Sequence, residues 1–491
     1  MKRNPLLFLS AAALLLALLV SCGSSDNTET DSTDGAVSGD TAATETTENP
    51  YDPHLPAKDY GGATYTFAMA GSEGSYNDIT ADATDGDQLN DAVYYRNEYI
   101  ETTYNLDVQL MWCGESGGDI TGSAMFKTVS QMILAGEDVI DTIIASPYCQ
   151  SGFAISGYLL DMTTLDHINF DQPWWDQNAL DMLSFYDCVY YTVGDITTID
   201  NRATAVLFFN KKMVEEFDLE SPYDVVRSGK WTMDAMIANC KLVAGDLNGD
   251  GVMSELDRWG YTFWQDGLYT MMHAGGATVG AINESGEPVY TAEDTHFIEV
   301  YEKVLELVDK AYSFNEKMDK NETGTNIFGS GNALYLWGLT YSIINMRDSE
   351  IDFGLIPYPK YDEAQETYYS NANAYTNALV SVPITVSDQE RAGLILEAYS
   401  AKGLELVTPA FYDIQVMTKS IRDNDSAEML EIIFNNQMYD IGYFFRWGNT
   451  FSKVKDGLAA RSSNVSSILS SISKTSQADV QATIDAFTAE D

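Results

Sequence analysis

Between residues 63 and 146 the apolar pattern switches period repeatedly, and no other feature restricts the fold of this chain as strongly. "ATYTFAMAG" (63–71) reads as a strand. "DQLNDAVYYRNEYIETTYN" (87–105) sets Leu89, Val93, Arg96 and Ile100 at helical spacing, with Leu89, Val93 and Ile100 as its apolar stripe. "LDVQLMW" (106–112) alternates Leu106, Val108 and Leu110 against Asp107 and Gln109, the period of a strand. "MFKTVSQMILAGED" (125–138) puts Phe126, Val129 and Ile133 on one helix face, and "VIDTIIAS" (139–146) is a short apolar run, a buried strand. The order β-α-β-α-β implies a parallel sheet and an α/β fold.

In open α/β sheets ligands gather beyond the carboxyl ends of the strands. Two segments fall there, "AGSEGSYND" (70–78) and "SPYCQSG" (146–152). Small residues let backbone N–H groups approach a ligand, and Tyr offers a flat face and a hydroxyl. Plain turn chemistry accounts for the same residues. Farther on, "IEVYEKVLELVDKAYS" (298–313) reads as a helix, "NALYLWG" (332–338) as a strand, and "SDQERAGLILEAYSAKG" (387–403) as a helix opened by a capping box of Ser387 and Glu390. A terminal helix is predicted within 462–487, with Val465, Ile468, Leu469 and Ile472 apolar. No internal repeat is visible.

The chain opens "MKRNPLLFLSAAALLLALLVSCGSS". Lys2 and Arg3 precede an apolar run from Leu6 to Val20, shorter than the roughly 20 residues of a membrane span. It suits a signal peptide over residues 1–21. "LVSC" resembles the lipobox of bacterial lipoproteins, in which Cys22 takes a diacylglycerol and becomes the new N-terminus; an ordinary secretory signal is the alternative. Residues 22–54 then form the anchor and an acidic tether. From Gly23 to Pro50 the chain has no aromatic residue, no Lys and no Arg, so it cannot bury enough apolar surface to offset chain entropy. The formal net charge is −47, and losing residues 1–21, with two cations and no acid, takes it to −49. Nucleic acid and anionic lipid are therefore poor partners. Cys113, Cys149, Cys188 and Cys240 have no CxxC spacing, and sequence cannot choose among their three pairings.

The familiar catalytic motifs are absent: no GxSxG, HExxH, Walker loop or GxGxxG. His54, His167, His273 and His296 have no second histidine at metal spacing. With 74 acids, chance carboxylate pairs are certain, so a glycosidase is open but unsupported. "DLNGDGVMSELD" (246–257) is more pointed. Asp246, Asn248 and Asp250 occupy positions 1, 3 and 5 of an EF-type loop, Gly251 the turning position 6, and Val252 the backbone carbonyl at 7. Asp257 at position 12 and Glu255 at position 10 are rival closing carboxylates. A single unpaired loop points to a structural Ca²⁺ rather than a sensor; an acidic turn without metal is the alternative.

The chain has 30 Tyr, 20 Phe and 8 Trp. "PWWDQNA" (173–179), "TFWQDG" (262–267), "YLWGLT" (335–340) and "FRWGNT" (445–450) each put Trp beside Gly, an amide or a carboxylate at an element end. Flat faces next to such groups suit sugars; a Trp filling a core gap is the alternative.

Together, the lipobox, tether, α/β start, "PWWDQNA", "GDI", "FFNKKM", "SPYDVVRSGKWTMDAM", "DLNGDG", "DFGLIPYPKYDEAQ" and "YDIGYF" resemble extracellular solute-binding lipoproteins of bacterial ABC importers, the maltose-binding-protein-like family 1. The likeness runs from about residue 55 to 444. It implies a two-lobed periplasmic-binding-protein-like fold (type II) with a hinge, closing on its ligand like a clamp. The implied lobes are 55–195 plus 352–392, and 196–351 plus 393–491. Carried over position by position, ligand contacts would come from Tyr76, Asn77, Asp78, Tyr148, Trp175, Asp195, Asn201, Trp264, Trp337, Tyr375 and Trp447. Some relatives close the cation loop with positions 9 and 10, here Ser254 and Glu255. The implied function is capture of a carbohydrate, an oligosaccharide foremost, for an ABC permease, without chemistry, by a monomer lipid-anchored on the extracytoplasmic face of the membrane. The alternatives are a cell-surface glycoside hydrolase or lyase and a sugar-sensing binding protein.

Overall fold

The computed structural model describes residues 49–317, 322–346, 351–416 and 424–488; the signal peptide, Cys22 and the tether up to residue 48 lie outside the described residues. The first sheet begins as its periodicity requires: β1 (Ala63–Met69), α1 (Gln88–Tyr104), β2 (Leu106–Trp112), α2 (Ala124–Leu134), β3 (Thr142–Ala145) and α3 (Pro147–Ile155). β1 lies between β2 and β3 and is parallel to both, with Ala63 opposite Leu106 and Phe67 opposite Thr142. The Asp87 carboxylate caps α1 by accepting from the N–H groups of Leu89 and Asn90, both at 3.0 Å. Val93 and Ile100 are buried as expected, and so is Arg96. The Arg96 guanidinium is sustained there by the carbonyls of Asp78, Ile79 and Ile196 and by the Tyr399 hydroxyl.

The second sheet takes β4 (Ala205–Asn210), α4 (Met233–Val243), β5 (Trp259–Phe263), α5 (Asp266–Ala274), α6 (Thr295–Leu307), β6 (Ser313–Asn315), β7 (Ala333–Leu339) and β8 (Phe353–Ile356). Its strand order is β8-β4-β7-β5-β6. β5 is parallel to β6 and β7, whereas β4 runs antiparallel to β7 and β8. β9 (Leu379–Ser381) then returns to the first sheet, antiparallel on β3, giving β9-β3-β1-β2. α7 (Gln389–Lys402) follows, and α8 (Val465–Thr488) closes the chain with Val465, Leu469 and Ile472 buried.

Three expectations change. Residues 352–392 do not return wholly to the first lobe, because β8 pairs with β4 in the second sheet. An all-apolar run such as Phe353–Ile356 suits either sheet, and the close fit of Phe209 and Tyr223 around Gly354 decides which. Nor does the chain leave the first lobe at 393: Leu394, Ile395 and Leu396 are fully buried in one core with Tyr65, Phe67 and Ile100. Finally, Asp388 rather than Ser387 caps α7, accepting from Arg391 N–H at 3.1 Å. The Ser387 hydroxyl donates to Asp138, and Glu390 meets Lys58 at 2.8 Å and His167 at 3.0 Å.

Two connecting segments run side by side between the sheets, pairing at Thr192–Val380 and again at Thr204–Ala372. Cys113, Cys149, Cys188 and Cys240 are free thiols. No helix among the described residues is long and apolar enough to cross a membrane.

Candidate functional site

Strand polarity brings the carboxyl ends of both sheets to a common cleft. On the second sheet a cavity of about 460 Å³ is lined by Trp264 and Asp266 after β5, Glu316 after β6, and the end of β7 from Trp337 to Tyr341. On the first sheet a smaller cavity of about 160 Å³ is lined by Met69 and Ala70 at the end of β1, Ile144 to Ser146 at the end of β3, and Ser116. Tyr375 and Thr376 line both, so the segment leading into β9 forms the common wall.

The larger cavity presents rings and acceptors. Trp264, Tyr341 and Tyr375 are 37 %, 38 % and 42 % exposed, and all three line this cavity. Trp337 is half-buried, held by its indole N–H donating to the Thr270 hydroxyl at 3.2 Å. Asp266 pairs with Lys455 at 3.4 Å, and burial raises the pKa of Glu316 above the usual carboxylate range. Flat apolar faces beside carboxylates can stack a ring and accept its hydroxyls.

Tyr375 is seated from below. Its ring stands edge-on to Tyr148 at 5.1 Å, and Tyr148 is itself buried edge-on to Tyr443 at 5.5 Å. Gly118 lies flat against the Tyr375 ring, where a Cβ would fall 2.3 Å from a ring carbon. The Gly118 carbonyl accepts from Arg446 at 2.6 Å.

Of the residues expected to bind ligand, Trp264, Trp337 and Tyr375 line the cleft. The others are placed elsewhere. Tyr148 supports Tyr375. Trp175 and Trp447 are fully packed, donating to Glu397 and to Thr483, each at 2.9 Å. Asn77 is exposed and bonded within its own turn to Thr80. Asp78 is buried, accepting from Thr197 and Thr198 of the first connecting segment. Tyr76 joins the Thr198 hydroxyl at 2.8 Å, under the Arg202 guanidinium. Asp195 accepts from Thr408, and the Asn201 carbonyl accepts from Thr340. Asp266, Glu316 and Tyr341, which the sequence reading did not single out, stand at strand ends; the only signal for them was that position.

The cation loop spans the junction from α4 to β5. Asp246 accepts from Gly249 and Gly251 N–H at 2.7 Å, and Asn248 and Asp250 each accept from the N–H two residues on. Gly251 has φ +82°, as position 6 requires. Asp257 is fully buried and already saturated by Leu247 N–H, Ser254 N–H and the Ser254 hydroxyl. Burial would raise its pKa, but those donors outweigh burial and hold it below the usual carboxylate range. Glu255 remains half-buried. Among the described residues no three His, Cys, Asp or Glu side chains are gathered as a metal cluster, so this loop would need its amide and carbonyl oxygens too.

Comparison with known proteins places this architecture. The structure is similar to an ABC substrate-binding protein of Listeria monocytogenes in complex with cycloalternan, at 14 % identity over 85 % of this chain and 99 % of that one, with a TM-score of 0.52. It is similar to the GacH receptor of Streptomyces glaucescens GLA.O, also solved with acarbose, at 14 % identity over 86 % and 99 %, with a TM-score of 0.52. A sugar transporter of Rhizobium etli in an open conformation matches at 13 % identity over 85 % and 100 %, with a TM-score of 0.57. No curated protein matches the sequence. The model of the family "Bacterial extracellular solute-binding protein" matches residues 118–389, more than half of the sequence. The chain is a member of that family of bacterial extracellular solute-binding proteins.

Proposed function

We propose that this protein captures a carbohydrate in the cleft between its two sheets and delivers it to an ABC permease without altering it. One observation carries the proposal: Trp264, Trp337, Tyr341 and Tyr375 line a single cavity with the carboxylates of Asp266 and Glu316. Rings and carboxylates together match the two sides of a pyranose, its C–H face and its hydroxyl edge. The neighbours solved with cycloalternan and with acarbose, and the Rhizobium sugar transporter, support the same ligand class. The signal sequence, Cys22 and the acidic tether support a protein held by lipid at the extracytoplasmic membrane face. The loop 246–257 would carry a structural Ca²⁺, with Asp246, Asn248, Asp250, the Val252 carbonyl and Glu255 as ligands and Asp257 bracing the loop from inside.

The test is a melting panel of mono- and oligosaccharides, followed by calorimetry and product analysis. At least one saccharide should raise Tm and bind stoichiometrically with no product released. Trp337→Ala should weaken that binding about tenfold, on the order of 1.4 kcal/mol, while the unliganded protein stays folded. Shifts by peptides or polyamines alone would refute the ligand class, and turnover would refute the absence of chemistry.

A further inference from the structure

Two buried polar groups on residues lining the smaller cavity have no hydrogen-bond partner among the described residues. The Ser146 hydroxyl and the Asn377 side-chain N–H₂ have no partner among the described residues, although Ser146 is only 3 % exposed and Asn377 only 2 %. Both line this cavity. The Asn377 carbonyl oxygen is taken by Ala378 N–H at 2.6 Å, so only the donating half of its amide is free. Ser146 is also the N-cap of α3, and its side chain caps none of the helix N–H groups. Pro147 has no N–H, and the first intrahelical bond is made by Gln150 to the Ser146 carbonyl at 2.9 Å. The N–H groups of Tyr148 and Cys149 thus stand at the uncapped positive end of the helix.

We propose that this cavity is a carboxylate subsite, and that the captured saccharide carries a uronic acid unit. Its carboxylate seats on Asn377, Ser146 and the N-terminus of α3 while neutral rings lie against the aromatic wall of the larger cavity. This presupposes that the cleft binds carbohydrate. Asn377 offers only N–H donors here, the Ser146 hydroxyl can turn to donate, and the helix end is positive; an acceptor-only carboxylate answers all three, whereas a sugar hydroxyl brings no charge for the helix end. A monoanion also fits better than phosphate, because no Lys or Arg lines the cavity and the helix end supplies about half a unit of charge. The one acid there, Glu115, is exposed to solvent at the rim.

Calorimetric titration of the full chain with matched pairs tests this: oligogalacturonates and oligoglucuronates against the neutral oligomers of the same linkage, with acetate and sulfate as free anions. At least one uronate should bind ten or more times tighter than its neutral counterpart. Asn377→Asp, which keeps the bond to Ala378, should cut that ratio at least tenfold, and Ser146→Ala should cut it in the same direction; melting of the unliganded variants confirms that they fold. If neutral saccharides bind and uronates gain nothing, carbohydrate capture stands and the carboxylate subsite falls. If acetate or sulfate binds as tightly as any saccharide, the site takes free anions and the sugar-borne carboxylate is refuted. If no saccharide of either class binds, both proposals fall together.

Discussion

Tyr375 shows how a side chain lining the cleft depends on residues behind it. Its ring is accessible on the cleft side only because Gly118 leaves room behind it and Tyr148 braces its edge. Gly118→Ala would set a methyl 2.3 Å from the ring and force Tyr375 out of its seat. Saccharide affinity should fall about tenfold, on the order of 1.4 kcal/mol, with Tm lowered by only a few degrees, read by calorimetry beside a thermal melt. At the same scale, Trp175 and Trp447 illustrate why an indole in a promising motif is often packing. Each buries its whole ring and satisfies its one N–H inside the core, as a buried Trp must.

At the scale of the element, loops at strand and helix ends divide the labour. Those after β5, β6 and β7 present the aromatic and acidic wall, while the one between α4 and β5 ties a helix to a strand. Its Asx turns hold Asp246, Asn248 and Asp250 oxygens on a single tight loop, and saturated Asp257 anchors its base. If Ca²⁺ occupies it, excess chelator should lower Tm, by about 1 °C per kcal/mol of lost binding energy in one compact unit of this size. Asp250→Asn should reproduce the shift without chelator. An unchanged melt in chelator and in the variant would show that the loop stands without metal.

For the molecule as a whole, the first connecting segment and α7 carry buried acids. Burial, partly offset by the Thr408 hydroxyl and reinforced by Asp176, pushes Asp195 up to about 7. Burial likewise pushes Glu397 up to about 7 despite the Trp175 indole N–H, and raises Asp200 well above its ordinary value. A carboxyl raised in the folded state holds its proton more tightly there than in the unfolded chain. Its contribution to stability is complete below the unfolded pKa and is lost as pH rises through the folded one. Tm should therefore decline from about pH 5 to pH 8, each such group adding a slope of up to about 1.4 kcal/mol per pH unit. Glu397→Gln should remove one group's share of that slope, seen in melts across the pH series.

The α/β class, the parallel core of the first sheet and the cleft at the carboxyl ends were legible in the residues because they rest on periodicity, which is local. Trp264 and Trp337 were legible as aromatic residues at predicted element ends, whereas Tyr375 was expected only from the family resemblance. What the sequence could not reveal was choice between equals. Phe353–Ile356 is apolar enough for either sheet, and only the niche at Gly354 assigns it to the second. Asp78 and Asp195 look like ligand contacts until Thr197, Thr198 and Thr408, more than a hundred residues away, arrive to occupy them. Ser146 and Asn377 look like turn residues until the fold buries Ser146 Oγ and Asn377 Nδ2 with no partner among the described residues. Local pattern determines which elements form; which polar groups are satisfied within the protein and which are left for a ligand is decided by long-range packing.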